Sequence, residues 1–304
     1  MHVAVAIVAY RNPEDVVRCL RALAGSAHTD FEVVICENGG PPAYEALKAV
    51  LRDPLPGGQP VHAVLASGNL GYAGGVNLCI RESAGADAWW VLNPDTEPSP
   101  NALARMAARL AAGDCDAVGN TLQFPSGKVQ SHGGRWRAAL ARAVSIGYGA
   151  PLQPAPDPTG VEAAQNYLNG ASMLVSRRFV ETAGLMQEDY FLYCEEVEWC
   201  LRARAKGLRL GFAPDAVVLH EQGTSTGNAP SLKARSRVSV HLGERNRLLL
   251  TRDRYPALLA VAAAAALVLL VLRFGRGRAW RQLGWALQGW AAGMAGQRGA
   301  PPWA

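Results

Sequence analysis

A chain of 304 residues with 49% hydrophobic content has enough apolar material for a sizeable buried core, which excludes a disordered chain. Its formal charge of +5 is unevenly divided: residues 226–304 hold 12 Lys and Arg against 2 Asp and Glu, whereas residues 1–225 hold 18 against 23. The basicity therefore belongs to the tail, and the six cysteines, scattered without a CxxC pair, read as core thiols rather than zinc ligands or a disulfide framework.

The N-terminus, MHVAVAIVAYRN, has no basic leader and passes straight into a β-branched run, so it reads as a first strand over Val3 to Ala9. Helical spacing of Val16, Val17, Leu20 and Leu23 follows, then a second strand over Phe31 to Cys36. A third strand at Val61 to Leu65, a helix from Gly75 to Ala84 and a fourth strand at Ala88 to Leu92 continue the alternation. This is the pattern of an α/β protein, Rossmann-like, with a mostly parallel sheet flanked by helices. Ligands of such sheets bind beyond the carboxyl ends of the strands. Those ends carry Ala9-Tyr10-Arg11-Asn12, Glu37-Asn38-Gly39-Gly40, Ser67-Gly68-Asn69 and Asn93-Pro94-Asp95-Thr96. Residues 150–160 are proline-rich and read as a loop or lid before a second half that starts near Tyr167.

Three segments carry candidate chemistry. The run Asn69-Leu70-Gly71-Tyr72-Ala73-Gly74-Gly75-Val76-Asn77 follows a strand and opens a helix, so its glycines would let backbone N–H groups approach a phosphate or sugar, or simply make a tight turn. It is neither a G-x-G-x-x-G fingerprint nor a P-loop. Asn93-Pro94-Asp95 presents a carboxylate at a strand end, suited to a hard divalent cation, or else to capping the next helix. From Glu188 to Arg202, five carboxylates lie among four aromatic residues. Glu195, Glu198 and Arg202 share a helical face and suit an ion-pair role, whereas Glu196 points elsewhere and is free to act as a base.

In the tail, Ala257 to Leu272 is an uncharged apolar segment of 16 residues bracketed by arginines, short of the roughly 20 needed to span a bilayer. Trp280 to Met294, with Trp285 and Trp290, has the composition of an interfacial helix. The basic tail favours an anionic membrane surface. Packing of both segments in a homo-oligomer is the competing reading.

The segments AIVAYRN, VVICEN, GNLGYAGGVN, LNPD, YLNGASMLV, YFLYCEEVEWCLR and VVLHEQGTS occur in one order. In that order the sequence resembles family 2 glycosyltransferases with the GT-A fold, most closely the bacterial rhamnosyltransferase-like members, over roughly residues 3 to 250; the tail segment LQGWAAGMAGQRG also resembles the ends of such enzymes. The resemblance implies a catalytic domain over residues 1–225 and a basic, helical, membrane-associated or oligomerisation region over 226–304. It implies that Glu196 is the catalytic base, standing where the family has an aspartate in Glu-Asp-x-Asp, and that Asp95 and His220 hold Mg²⁺ or Mn²⁺. Glu37 stands where an aspartate reads the N3–H of a pyrimidine. Ala9, Tyr10, Arg11, Glu37, Asn69, Gly71, Tyr72, Gly74, Asn77, Asn93 and Asp95 would face the nucleotide sugar, and Asn169, Gly170, Ala171 and Glu195 the sugar and acceptor.

The implied reaction is inverting transfer of a sugar, with dTDP-L-rhamnose favoured and UDP-galactofuranose or another UDP-hexose second, to a cell-surface polysaccharide or lipid-linked acceptor. The implied place is the cytoplasmic face of the membrane, peripheral or monotopic, with no nucleic-acid partner. A nucleotidyltransferase would carry a glycine-rich basic loop after the first strand, where Tyr10-Arg11-Asn12-Pro13 stands instead. A non-catalytic scaffold that binds nucleotide sugars is the other rival, and it is separated from an enzyme by whether Glu196 and Asp95 face one cavity.

Overall fold

The computed structural model describes residues 1–221 and 231–303. The end of the VVLHEQGTS segment and the boundary at 225/226 lie outside the described residues. Strands run over Val3–Ala9 (β1), Phe31–Glu37 (β2), Val61–Leu65 (β3), Ala88–Leu92 (β4), Thr96–Pro98 (β5), Ala117–Gln123 (β6), Val129–Ser131 (β7), Gly134–Arg137 (β8), Arg142–Ser145 (β9), Ser172–Ser176 (β10) and Leu210–His220 (β11). Helices run over Pro13–Leu23 (α1), Pro41–Val50 (α2), Gly71–Glu82 (α3), Ala102–Ala111 (α4), Pro158–Ala164 (α5), Arg177–Ala183 (α6), Glu195–Ala205 (α7), Arg237–Arg254 (α8), Leu259–Arg276 (α9) and Trp280–Met294 (α10).

The main sheet has the order β3-β2-β1-β4-β10-β6-β11-β5, with β7 paired to β6. Its first half is parallel, as the alternation of apolar runs and helices implies: β1 lies between β2 and β4, and β2 pairs with β3. β1 and β4 are apolar and buried on both faces because helices cover both sides. The second half is mixed, since β10 runs antiparallel between β4 and β6, and β5 antiparallel to β11. These short reversed strands bring distant turns together. Ser172 pairs with Leu92 across β10 and β4, setting the 169–172 turn beside Asn93. His220 pairs with Thr96 across β11 and β5, setting it beside Asp95.

Within the proline-rich stretch, Pro158 to Gly160 begin α5, with the Asp157 carboxylate accepting the N–H groups of Thr159 and Gly160. All six cysteines are buried free thiols. The tail helices pack on the half that carries the main sheet: Leu248, Leu249, Leu250, Ala262, Ala263 and Ala266 share one apolar cluster with Val91, Phe179 and Trp199. α10 lies tightly on α8, where a Cβ at Gly289 would stand 2.2 Å from the His241 carbonyl oxygen and one at Gly293 2.6 Å from that of Arg245. The Trp290 indole donates to the Ala263 carbonyl at 2.9 Å, so this tryptophan anchors α10 to α9, while Trp280 stays exposed. One helical stretch, Pro256–Arg276, has the length and composition to cross a membrane, and only 28% of its apolar window is buried in the protein.

Candidate active site

Four turns meet at the carboxyl edge of the sheet. At the end of β2, Glu37 is fully buried, and its Oε1 accepts the backbone N–H groups of Arg11 (3.1 Å) and Gly39 (2.7 Å). Its Oε2 has no hydrogen-bond partner among the described residues, and a buried carboxylate oxygen in that state is a ready acceptor for a ligand N–H. Arg11 sits at a left-handed φ of 57° and lies over the exposed Tyr10 ring at 5.1 Å. The Ala9 carbonyl is already engaged, accepting the Asn38 N–H at 2.9 Å.

At the end of β4, Asp95 and His220 are both buried, with His220 Nε2 3.3 Å from Asp95 Oδ1. His220 Nδ1 lies 3.0 Å from Gln130 Oε1, an acceptor, so Nδ1 carries the proton and Nε2 turns its lone pair to the carboxylate. Two facing lone pairs at that distance are reconciled by a cation or a proton between them. Asn93 adds a buried Oδ1 with no partner among the described residues, while its Nδ2 lies 3.5 Å from His220 Nε2. Carboxylate, imidazole and amide oxygen form a donor set fitted to a divalent cation. Among the described residues no group of three or more His, Cys, Asp or Glu surrounds one point, so such a cation would take its other ligands from diphosphate oxygens or water. Asp95 does not cap a helix: β5 follows it and α4 begins only at Ala102.

The third turn, residues 169–172, is closed by Asn169 Oδ1, which accepts the Ala171 N–H at 3.0 Å. The Ala171 carbonyl accepts the Asn93 N–H at 2.9 Å. Gly170 lies against Glu196: a Cβ there would stand 3.1 Å from Glu196 Cγ. The Gly170 carbonyl accepts the Tyr72 hydroxyl at 2.5 Å.

The fourth is the N-terminus of α7. Glu195 is buried, with Oε2 unpartnered among the described residues, and Glu196 beside it is half-buried. Burial pushes the Glu196 carboxyl above its usual range, and backbone N–H groups at the helix start pull it part of the way back. Glu195 is pushed up further, by burial first and then by the Glu196 charge. The two therefore titrate as a coupled pair, in which ionising one carboxyl disfavours ionising the other. The Tyr72 phenol is raised well above its ordinary value, by burial and then by the charges of Glu195, Glu196 and Asp95.

The ion pair expected of Glu195, Glu198 and Arg202 needs one correction. Arg202 Nη2 meets Glu198 at 3.0 Å and Arg254 closes the other side, but Glu195 takes no part, because the first turn of α7 directs it inward beside Glu196. The glycine-rich turn also differs in its work. A Cβ at Gly71, where φ is +71°, would stand 2.1 Å from the Phe191 carbonyl oxygen, which accepts the Tyr72 N–H at 2.7 Å. Gly74 lies against Leu70, and the exposed Asn69 closes the turn by accepting the Gly71 N–H at 3.1 Å. These residues dock the loop before α7, and the Gly71 and Tyr72 N–H groups are already engaged. Asn77, expected to face the nucleotide sugar, is buried and bound through both ends of its amide to Met186, with a further bond to Glu188 at 2.8 Å.

Sequence reasoning missed Asn246. Fully buried on α8, its amide nitrogen donates to the carbonyls of Tyr190 (2.8 Å), Leu192 (2.8 Å) and Tyr193 (2.9 Å). Arg245 Nη2 also donates to the Tyr190 carbonyl, at 3.0 Å. Between those carbonyls and Glu195 stand three non-glycine residues at positive φ, Phe191 (66°), Tyr193 (75°) and Cys194 (73°). Such strain persists only where the surroundings fix it. The one available signal was the polar run Glu244-Arg245-Asn246-Arg247 just before Leu248-Leu249-Leu250.

A parallel nucleotide half, a reversed β10 and carboxylates gathered at the strand ends define a transferase of the GT-A fold. Solved structures of that shape include GalNAc-T7 with UDP, GalNAc and Mn²⁺, at a TM-score of 0.61 and 14% identity over 82% of this chain and 51% of that one. The mannosyltransferase PcManGT from Pyrobaculum calidifontis, in complex with GDP-Man and Mn²⁺, superposes at a TM-score of 0.57 and 14% identity, over 96% and 87% of the two chains. The model of glycosyl transferase family 2 matches residues 4–157, half of the chain, and the protein belongs to that family. Similar curated proteins include the low-salt glycan biosynthesis hexosyltransferase Agl10 of Haloferax volcanii, 24% identical over 81% of this chain and 74% of that one. Another is the N-acetylglucosaminyl-diphospho-decaprenol L-rhamnosyltransferase of Mycobacterium tuberculosis, 27% identical over 75% and 78%.

Proposed function

We propose that this glycosyltransferase is an inverting hexosyltransferase that moves L-rhamnose from dTDP-L-rhamnose onto a hydroxyl of a lipid-linked or cell-surface glycan. The reading places it at the cytoplasmic face of the membrane, peripheral or monotopic. Glu196 takes the proton of the acceptor hydroxyl as that oxygen bonds to the anomeric carbon, and the anomeric C–O bond to the diphosphate breaks with its electron pair leaving on the nucleotide. Asp95, His220 and Asn93 Oδ1 would hold Mg²⁺ or Mn²⁺, which when bound offsets the charge developing on the leaving diphosphate. Because that charge is met separately, one carboxylate suffices for proton transfer, unlike the paired acids of hydrolases. Glu37 Oε2 is suited to the N3–H of a pyrimidine base.

The observation that carries this reading is the arrangement around Gly170, which lies against Glu196 and accepts the Tyr72 hydroxyl, while the carbonyl of the next residue, Ala171, holds the Asn93 N–H two residues before Asp95. A scaffold that only binds nucleotide has no need of a carboxylate with raised basicity beside the diphosphate contact. The named rhamnosyltransferase relative favours rhamnose over the alternatives of UDP-galactofuranose and other UDP-hexoses. Thermal stabilisation by a panel of nucleotide sugars with Mn²⁺ tests the donor. The expected result is the largest rise in Tm with dTDP-L-rhamnose. Stabilisation by a purine nucleotide sugar alone would overturn both the pyrimidine role of Glu37 and the rhamnose assignment.

A further inference from the structure

A cavity of about 560 Å³ opens between α9, α8 and the β8–β9 hairpin. Its charged lining is Arg142, Arg247, Arg273 and Arg276 against one carboxylate, Glu244. Glu244 is committed to Arg247 at 2.8 Å. Arg142, Arg273 and Arg276 have no carboxylate within ion-pair distance among the described residues, so three guanidinium groups share the space uncompensated. The Arg273 guanidinium is pushed down to about 10, by burial and then by the charges of Arg235 and Arg247. Repulsion of this kind costs stability unless an anion relieves it.

The cavity's other wall is apolar, with Ala266, Leu269, Leu270 and Leu272 of α9. On the outside of the same helix, Val261, Val268 and Val271 are 59%, 58% and 44% exposed. This unpartnered apolar stripe ends at the arginines. Arg247 lines the cavity next to Asn246 in sequence, and Asn246 donates to the Tyr193 carbonyl at 2.9 Å, three residues before Glu196. Tyr167 packs on Gly134 at the start of the β8–β9 hairpin, three residues before the Gly170 that lies against Glu196.

We propose that this cavity binds the diphosphate of a lipid-linked acceptor, with the lipid chain along the exposed face of α9 and the attached sugar directed past Tyr167 toward Glu196. The inference deepens the reading above and rests on it for the sugar's destination. A bulk phospholipid phosphate brings a single charge to the three uncompensated guanidinium groups, whereas a diphosphate diester carries a charge on each phosphate, and arginine forks suit both. The helix Pro256–Arg276 is long and apolar enough to cross a membrane, and its exposed apolar face equally suits lying along a lipid chain at the membrane surface.

The test uses the full chain and neutral phosphatidylcholine vesicles doped either with a long-chain polyprenyl diphosphate or with phosphatidylglycerol at matched surface charge. Co-sedimentation should favour the diphosphate vesicles by tenfold or more. The double variant Arg142→Gln, Arg273→Gln should lose that preference while its stabilisation by donor nucleotide is unchanged. Equal binding of the wild type to both vesicles would reduce the cavity to a general anionic-surface contact and overturn the proposal. So would retention of the preference by the variant. Competition by inorganic diphosphate as strong as that by the polyprenyl diphosphate would show a free-phosphate site without the lipid component. Failure of the transferase reading has a different signature, namely an intact lipid preference in a protein that never turns over any nucleotide sugar.

Discussion

Replacing Asn246 by alanine should damage both stability and catalysis, although the residue lies on a tail helix. Its amide has two N–H groups directed at three buried carbonyls. At about 0.5–1.5 kcal/mol net for each bond, the loss is about 1–3 kcal/mol, and carbonyls left unpaired in a buried place put it toward the upper end. In a chain of this size each kcal/mol lowers Tm by about 2–4 °C, so a fall of about 4–12 °C is expected in differential scanning fluorimetry. Phe191, Tyr193 and Cys194 would lose the contacts that hold them at positive φ, and Glu196 would move with them. A displacement on the order of 1 Å costs about a hundredfold in rate, so kcat should fall with little change in donor affinity. Asn246→Asp isolates the cause: it keeps the volume, cannot donate, and points a carboxylate at carbonyl oxygens, so its loss should equal or exceed that of alanine. Wild-type Tm and kcat in either variant would refute the claim that Asn246 holds the catalytic loop.

Activity must fall as pH drops through the pKa of Glu196, since only its ionised form accepts a proton; because burial raises that pKa, the acid limb of kcat/KM should lie above the ordinary glutamate value of 4.5, and a limb at or below it would contradict the assigned environment. Gly71→Ala should destabilise the fold and lower kcat, since the added Cβ meets the Phe191 carbonyl at 2.1 Å and φ is +71°; calorimetry showing an unchanged melt would contradict that contact. Asp95→Ala should fold normally but lose turnover that depends on Mg²⁺ or Mn²⁺, and full metal-dependent activity in that variant would remove Asp95 from the site.

The sheet's first half was legible because parallel strands covered on both faces are continuous apolar runs, and the edges of Val3–Ala9, Val61–Leu65 and Ala88–Leu92 stand where hydrophobicity stops. The second half was not, because β10 and β5 pair with strands far along the chain and β7 is only three residues long. The pairing of Asp95 with His220 depends on the β5–β11 register, and only the resemblance pointed to it. Helical spacing alone grouped Glu195 with Glu198 and Arg202, since it says which residues share a face and not which are buried beside another charge. Asn77 and the glycines of its turn were assigned to the ligand from their place after a strand, whereas their partners, Met186 and Phe191, lie more than a hundred residues away. Asn246 was hidden for the same reason: its acceptors belong to a loop whose backbone shape no local pattern encodes.

The central claim is that Glu196 is the base, and the most direct measurement compares Glu196→Gln with Glu195→Gln. Glutamine keeps the size and hydrogen bonding of either side chain but accepts no proton. Nucleotide-sugar binding by calorimetry and turnover by nucleotide release should separate in Glu196→Gln, with near-normal affinity and a rate lower by about a hundredfold or more. Glu195→Gln should keep most of its turnover, because the Glu196 carboxylate beside Gly170 is left in place. A full rate in Glu196→Gln together with a collapse in Glu195→Gln would contradict the account.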